Sequence, residues 1–135
     1  MRFLDTNLVI RYLTRDDPQK AEAVRQLLQR VKAGQEQVRT TEAIIAEVCY
    51  VLVSRAYNLS HEEIRERLVP IITLRGLKLA HKRTYLRALD LYAQYPRIDF
   101  EDALSVAYME AEGITELYSY DTDFDGIEGV RRLEP

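Results

Sequence analysis

The stretch RFLDTNLVIRYL, residues 2–13, contains the change of pattern that decides the fold. RFLD predicts a short buried strand that ends at Asp5, and TNLVIRYL has the apolar spacing of a helix. Asp5 therefore lies where a strand gives way to a helix. Because ligands of open α/β sheets bind outside the carboxyl ends of the strands, Asp5 is the first candidate functional residue.

Short strands and helices continue to alternate along the rest of the chain. DDP at residues 16–18 predicts a helix start, Ser60 and Glu63 predict a capping box, and Asp99 and Gly113 bound a late helix. Further short strands are predicted at QVRT, LKLA, ELYSY and GVRRLE. Strands separated by helices imply parallel crossovers. The sequence therefore predicts an α/β protein, with three α/β/α layers around a short central parallel sheet.

Length and composition favour one well-packed globular domain spanning residues 1–135. The chain is 47% hydrophobic and 30% charged, with five Gly and four Pro, which excludes low-complexity segments. No apolar run approaches about 18 residues and no signal-peptide pattern is present, so we expect a cytoplasmic protein without a membrane partner. A net charge of −3 argues against a general nucleic-acid coat protein.

Several common kinds of site are excluded by the residues available. Cys49 is the single cysteine, and its neighbours Val48 and Val51 predict a buried thiol. His61 and His81 lie far apart and form no HExxH motif, so neither is predicted to bind zinc. No GxxxxGK[ST] or GxGxxG stretch is present, which removes nucleotide binding by a glycine-rich loop.

The stretch SYDTDFDGIEG, residues 119–129, has the spacing of a calcium loop but not its chemistry. An EF-hand loop needs a bidentate Glu at its twelfth position, and counting from Asp121 that position is Arg132. The preceding ITELYSY favours a strand over the helix that an EF-hand requires. Calcium is therefore excluded, and Asp121 is kept as a carboxylate that directly follows a predicted strand.

Glu47 has no local explanation in its predicted helix. Its neighbours one turn away are all apolar, so this face is expected to pack inward; they are Ala43, Ile44, Tyr50 and Val51. Burying an unpaired carboxylate costs several kcal/mol. Glu47 is therefore expected to reach an edge, pair with a cation or bind a metal.

The remaining acids have possible structural roles. Asp102 lies in the first turn of its helix, where the helix dipole favours a carboxylate. Asp99 can cap the same helix, and Asp5 can cap the first helix. Together, however, four acids can converge at the carboxyl edge of the sheet: Asp5, Glu47, Asp102 and Asp121. Carboxylates at such density repel one another unless cations neutralise them, and an all-oxygen set suits Mg²⁺ or Mn²⁺ better than zinc.

With these residues the chain resembles the PIN domain, and within it the VapC-type toxin ribonucleases of bacterial and archaeal toxin–antitoxin pairs. The resemblance covers essentially the whole chain and rests on LDTNLVIRYL, TEAIIAEVCYVL, IDFEDALSVAYMEAEG and LYSYDTDF. It implies that Asp5, Asp102 and Asp121 are catalytic metal ligands and that Glu47 completes the shell directly or through water. The supporting polar residues and additional acids are Thr6, Asn7, Asp99, Ser119 and Asp123.

The resemblance implies a Mg²⁺- or Mn²⁺-dependent endoribonuclease, acting as the toxin of a type II toxin–antitoxin pair. In such a site one or two cations hold the scissile phosphate and activate a water, leaving a 3′-hydroxyl and a 5′-phosphate. The expected partners are an RNA substrate, a small antitoxin and a second copy of the chain. Arg11 lies one turn beyond Asn7, and Arg15 one turn further if the helix continues, so both are candidates for contacting RNA phosphates.

Three other interpretations remain open at this point. A PIN nuclease of RNA maturation would carry the same residues. A phosphoaspartyl enzyme also places an aspartate after its first strand, although a haloacid-dehalogenase-like motif would need a second aspartate where Asn7 stands. A binding module without catalytic activity would use the acids only as structural caps.

Overall fold

The structure, a computed structural model, describes residues 1–135 and contains two compact units, Met1–Lys82 and Arg83–Pro135. The first unit holds three strands and four helices: β1 Arg2–Phe3, α1 Thr6–Thr14, α2 Pro18–Lys32, β2 Val38–Arg39, α3 Glu42–Val53, α4 His61–Ile72 and β3 Leu77–Lys78. The strands form a parallel sheet in the order β1-β2-β3. Two helices connect each strand to the next, as parallel pairing requires.

Two helices of the first unit, α2 and α4, begin at the predicted capping residues. Asp17 accepts a hydrogen bond from the backbone amide of Lys20 at 3.1 Å, and Pro18 occupies the first helical position of α2. Ser60 and Glu63 form the complete capping box of α4. These side chains satisfy amide groups that a helix start leaves without partners. The predicted starts of α2 and α4 are therefore confirmed.

The core of the first unit is built from one buried apolar stripe on each helix. Leu28 and Val31 come from α2, Val48 and Leu52 from α3, and the four buried positions of α4 are Ile64, Leu68, Ile71 and Ile72. Cys49 is 1% exposed, which confirms the predicted buried thiol, and this burial raises its pKa.

The second unit contains α5 Lys82–Gln94, except for its first residue, and then α6 Phe100–Glu112, β4 Glu116–Tyr118, a 3₁₀ turn at Thr122–Phe124 and β5 Arg131–Leu133. β4 and β5 pair in parallel. Tyr85, Leu89 and Tyr92 of α5 are buried, and the Tyr92 ring meets that of Phe100 edge to face at 6.1 Å. α6 ends at Gly113, whose φ of 71° is the left-handed conformation that glycine adopts without strain.

The predicted α/β class and the parallel pairing are confirmed, with the pairing divided between one sheet in each unit. The predicted buried first strand is wrong: Arg2 and Phe3 are exposed, and the buried residue is Leu4, 2% exposed, just beyond β1. β1 is an edge strand of two residues, so it is paired on one side only. None of the helices combines the length and the apolar character that crossing a membrane would require.

Candidate active site

Asp5 occupies the N-cap position of α1 without acting as a cap. Its backbone is extended, with φ −90° and ψ 161°, but its side chain accepts no capping hydrogen bond. Aspartate at an N-cap normally accepts a bond from an amide of the first turn. The exposed carboxylate of Asp5 is therefore free for another role, and the structural explanation considered for this residue does not apply.

Glu47 is held by Thr6, the residue after Asp5. The Thr6 hydroxyl donates a hydrogen bond to Oε2 of Glu47 at 2.7 Å, and Thr6 itself is 5% exposed. This bond joins α1 to α3 across 41 positions of the chain. One carboxylate oxygen of Glu47 is thereby oriented by a buried donor, while Glu47 remains accessible.

The prediction that Glu47 lies on an inward-packing face is wrong. Glu47 is exposed, and so is Tyr50, 76% accessible on the same face of α3. The buried stripe of α3 runs instead through Ile45, Val48 and Leu52. α3 is apolar over most of its circumference, so its sequence does not reveal which side packs against the core.

The two arginines predicted to contact RNA, Arg11 and Arg15, have different surroundings in the structure. Arg11 pairs with Asp16 at 2.9 Å, and this guanidinium holds the pKa of Asp16 below its usual value. Asn7 and Arg11 line a cavity of about 420 Å³ together with Lys20. α1 ends at Thr14, and Arg15 takes a left-handed conformation with φ 54°, so the condition under which Arg15 would continue the row of Asn7 and Arg11 is not met.

In the second unit, two other carboxylates act on Asp102. Asp99 caps α6 by accepting a hydrogen bond from the amide of Asp102 at 2.8 Å. Partial burial raises the pKa of Asp102 to about 6, and the negative charges of Asp99 and Asp121 and a side-chain hydrogen bond with Asp99 contribute further. Such a pKa indicates that the surroundings of Asp102 disfavour its negative charge. A bound cation would offset this unfavourable charge.

Asp121 lies three positions after the last residue of β4, whereas it was predicted to follow the strand directly, and its surroundings orient it. The amide of Asp123 donates to Oδ1 of Asp121 at 2.9 Å, and the amide of Asp121 donates to Oγ of Ser119 at 3.0 Å. Arg97 and Arg132, neither of which was predicted as a site residue, both bind Asp125, four positions after Asp121. The Arg132 guanidinium lowers the pKa of the Asp125 carboxyl.

The donor chemistry suits a hard divalent cation in both units. The first unit presents Asp5 and Glu47, and the second presents Asp99, Asp102 and Asp121, all of them oxygen donors. Mg²⁺ and Mn²⁺ prefer such ligands. Neither unit by itself arranges three or more His, Cys, Asp or Glu side chains in a geometry that would hold a metal ion.

Comparison with known proteins identifies the family. The PIN domain model matches residues 2–130, which confirms the predicted three-layer α/β/α fold. A VapC ribonuclease of Mycobacterium bovis is 31% identical over 136 residues, covering 98% of this chain and 99% of that protein. Ribonuclease VapC13 of Mycobacterium tuberculosis matches with the same identity and coverage.

Two solved structures also match along most of the chain. A toxin–antitoxin complex from Klebsiella pneumoniae covers 96% of this chain and 94% of its own, with 21% identity and a TM-score of 0.35. VapC20 of Mycobacterium tuberculosis, described as a sarcin–ricin loop cleaving toxin, covers 95% of both chains, with 19% identity and a TM-score of 0.38. The assignment rests on the family model and the two curated relatives: the chain belongs to the PIN-domain family, among the VapC-type ribonucleases.

Proposed function

We propose that the protein is a Mg²⁺- or Mn²⁺-dependent endoribonuclease that acts in the cytoplasm as the toxin of a type II toxin–antitoxin pair. The observation that carries this proposal is the group of acids around Asp102, whose pKa of about 6 reflects partial burial and the charges of Asp99 and Asp121. Placing like charges together disfavours ionisation, and a site that binds a cation makes use of this arrangement. The family assignment supplies the ribonuclease class.

Asp5, Asp102 and Asp121 are the proposed metal ligands, with Glu47 completing the set directly or through water. A divalent cation bound there would supply charge neutralisation and Lewis acidity at the scissile phosphate. Thr6 keeps one oxygen of Glu47 engaged, so that the other remains available. The amide of Asp123 does the same for Asp121. These bonds limit the rotation of both carboxylates before any ligand binds.

The decisive experiment measures Mn²⁺-dependent cleavage of a mixed RNA pool by the wild type, Asp5→Asn and Asp121→Asn, with the fragment ends mapped. We expect cuts that leave 5′-phosphates and that both variants lose. Glu112→Gln, which removes an exposed carboxylate at the end of α6, serves as the matched control and should cleave like the wild type. Retained cleavage in Asp5→Asn would contradict the assignment of the site. A wild type that neither binds Mn²⁺ nor cleaves RNA would favour a binding module without catalytic activity.

For the antitoxin, we propose that an acidic amphipathic segment binds a groove in the first unit. The groove encloses about 820 Å³ between α1, α2 and α4, and its apolar lining includes Leu28, Ile71 and Leu74. The cations that line it are Arg15, Arg25, Lys32, Arg67 and Arg75, with no Asp or Glu among the lining residues. Apolar contacts would supply affinity, and the cationic rim would select a partner of opposite charge.

A toxin of this type is expected to be encoded beside a small antitoxin gene, and the partner proposal is tested by measuring how tightly the product of such a gene binds this protein. Lys32→Glu combined with Arg75→Glu should weaken that complex at least tenfold, because each change turns attraction into repulsion. Arg55→Glu reverses an exposed charge outside the groove and is the matched control. Equal loss of binding in both proteins would contradict the groove and leave only a general charge effect.

A homodimer is also proposed, through the exposed apolar residues of α3. Tyr50 is 76% exposed and Val53 39% exposed, although both are large and apolar. Exposed apolar surface of this kind is typical of association sites. Sedimentation velocity should give a dimer for the wild type and a monomer for Tyr50→Lys. A wild-type monomer at micromolar concentration would contradict this proposal.

A further inference from the structure

The segment that carries Asp121 is closed by a side chain from β5. Arg132 occupies the position where a calcium loop would have its Glu, and its side chain is 15% exposed. Its Nε donates to Oδ1 of Asp125 at 2.9 Å, and its Nη2 lies 3.4 Å from Oδ2 of the same carboxylate. This is the two-pronged geometry in which a guanidinium binds a carboxylate most specifically.

The same guanidinium also holds the other end of the segment. Nη1 of Arg132 donates to the backbone carbonyl of Ser119 at 2.9 Å and to Oε1 of Glu134 at 2.8 Å. Asp121 lies between the two attachment points, two residues after Ser119 and four before Asp125. The 3₁₀ turn over Thr122–Phe124 fills the interval. Arg132 therefore bridges the beginning and the end of the loop on which Asp121 stands.

A second set of bonds ties this loop to the segment that leads into α6. Arg97 donates a hydrogen bond to the backbone carbonyl of Asp125, and the hydroxyl of Tyr95 accepts one from the amide of Glu128 at 3.2 Å. Tyr95 and Arg97 precede Asp99 in the chain by four and two residues. The loop of Asp121 and the start of the helix that carries Asp102 are thus fastened to each other within one unit.

These hydrogen bonds hold the loop of Asp121 close to other acidic residues of the same unit. Asp99, Asp102 and Asp121 are all acidic, and the charges of Asp99 and Asp121 act on Asp102. Neither Arg97 nor Arg132 pairs with Asp121 itself; their hydrogen bonds go to Asp125, to the carbonyl of Ser119 and to Glu134. The loop can therefore be held without an ion pair to Asp121 itself.

From these contacts we infer that Arg132 is a positioning residue, which sets the carboxylate of Asp121 for a divalent cation by clamping Asp125 and the Ser119 carbonyl. The inference rests on the proposed function, since it presumes that Asp121 binds the cation. Residues that orient metal ligands typically change metal affinity by about 10- to 100-fold when they are removed. Arg132 is expected to fall at the lower end, because Asp123 and Ser119 orient Asp121 as well.

The test measures Mn²⁺ affinity by isothermal titration, with urea unfolding and RNA cleavage recorded on the same preparations. Arg132→Gln should weaken Mn²⁺ binding about tenfold, and Asp125→Asn should weaken it less, because it removes only one of the two contacts and leaves Arg132 bound to the Ser119 carbonyl. Arg132→Lys keeps the charge but loses the fork, so it should fall between the wild type and Arg132→Gln. Combining Arg132→Gln with Asp125→Asn should cost no more than Arg132→Gln alone.

The matched control is Arg131→Gln. Arg131 is the preceding residue on β5, its side chain is 74% exposed, and its ion pair is with Glu116 at 3.7 Å, away from the loop. Its Mn²⁺ affinity should equal that of the wild type. A role in stability alone would lower the urea midpoint of Arg132→Gln and leave its Mn²⁺ affinity intact below the transition, which would overturn the positioning role. Should Arg132→Gln fail to fold, Asp125→Asn, at a half-exposed position, tests the same contact from its other side.

Mn²⁺ binding by the wild type distinguishes a failure of this inference from a failure of the proposed function. If the wild type binds Mn²⁺ and Asp121→Asn does not, the presumption is met, and unchanged affinity in Arg132→Gln or Asp125→Asn would refute the positioning role alone. If the wild type fails to bind Mn²⁺, the proposed metal dependence is overturned and the positioning role with it.

Discussion

Replacing Asp102 with Asn should stabilise the metal-free protein at neutral and alkaline pH. The pKa of Asp102 is raised to about 6, from an ordinary value of 3.8. Each pKa unit corresponds to about 1.4 kcal/mol of free energy, so in a site fully protected from solvent the charged carboxylate would destabilise the folded state by about 3 kcal/mol. Asp102 is only partly buried, so solvent screening reduces this to about 1.5 kcal/mol. The dipole of α6 favours a carboxylate in its first turn by about 0.5 kcal/mol, which leaves a net gain of about 1 kcal/mol.

The sign follows from proton binding. Between the ordinary pKa of Asp102 and its raised folded value, the folded state holds the proton more tightly than the unfolded state. The stability of the wild type therefore declines as the pH rises from about 4 to about 6, and this cost persists at higher pH. Asn resembles the protonated acid and can keep a hydrogen bond with Asp99. The advantage of the variant should be absent near pH 4 and complete near pH 7.

Urea unfolding of the metal-free proteins at pH 4, 5.5 and 7.5 measures this difference, and Glu101→Gln, an exposed neighbour in the same turn, is the control. Saturating Mn²⁺ should reverse the order at pH 7.5 by stabilising only the wild type, since a ligand that binds the folded state stabilises it by mass action. An Asn variant that is less stable at every pH, or whose gain is independent of pH, would refute the reasoning.

Three further outcomes are expected. Thr6→Val removes the donor to Glu47 and should slow Mn²⁺-dependent RNA cleavage about tenfold, whereas Thr6→Ser should restore it; equal rates in both would contradict the orienting bond. Cys49, buried and with a raised pKa, should not react with a thiol reagent in the native protein but should react fully in urea; rapid native labelling would show an accessible thiol. Ser60→Ala removes the capping box with Glu63 and should lower the free energy of unfolding by about 1 kcal/mol in urea titration, so an unchanged midpoint would contradict the cap.

The acidic residues show which features can be predicted from neighbouring residues and which depend on tertiary packing. Asp99 was predictable as the cap of α6, because capping depends on residues within one turn. Asp5 showed the same local pattern, yet its side chain makes no cap, and no local rule distinguishes the two residues. Glu47 was singled out for its apolar neighbours, but its accessibility depends on which side of α3 faces the core.

The sequence by itself determined the order and type of the elements, the caps at Asp17 and Ser60, and the family, because these depend on periodicity and on neighbours within a few residues. Only the tertiary structure decided that β1 is an exposed edge strand, that Thr6 binds Glu47, and that Arg132 closes the loop of Asp121. Each of these depends on which elements pack side by side, and packing brings together residues whose separation along the chain hides their contact.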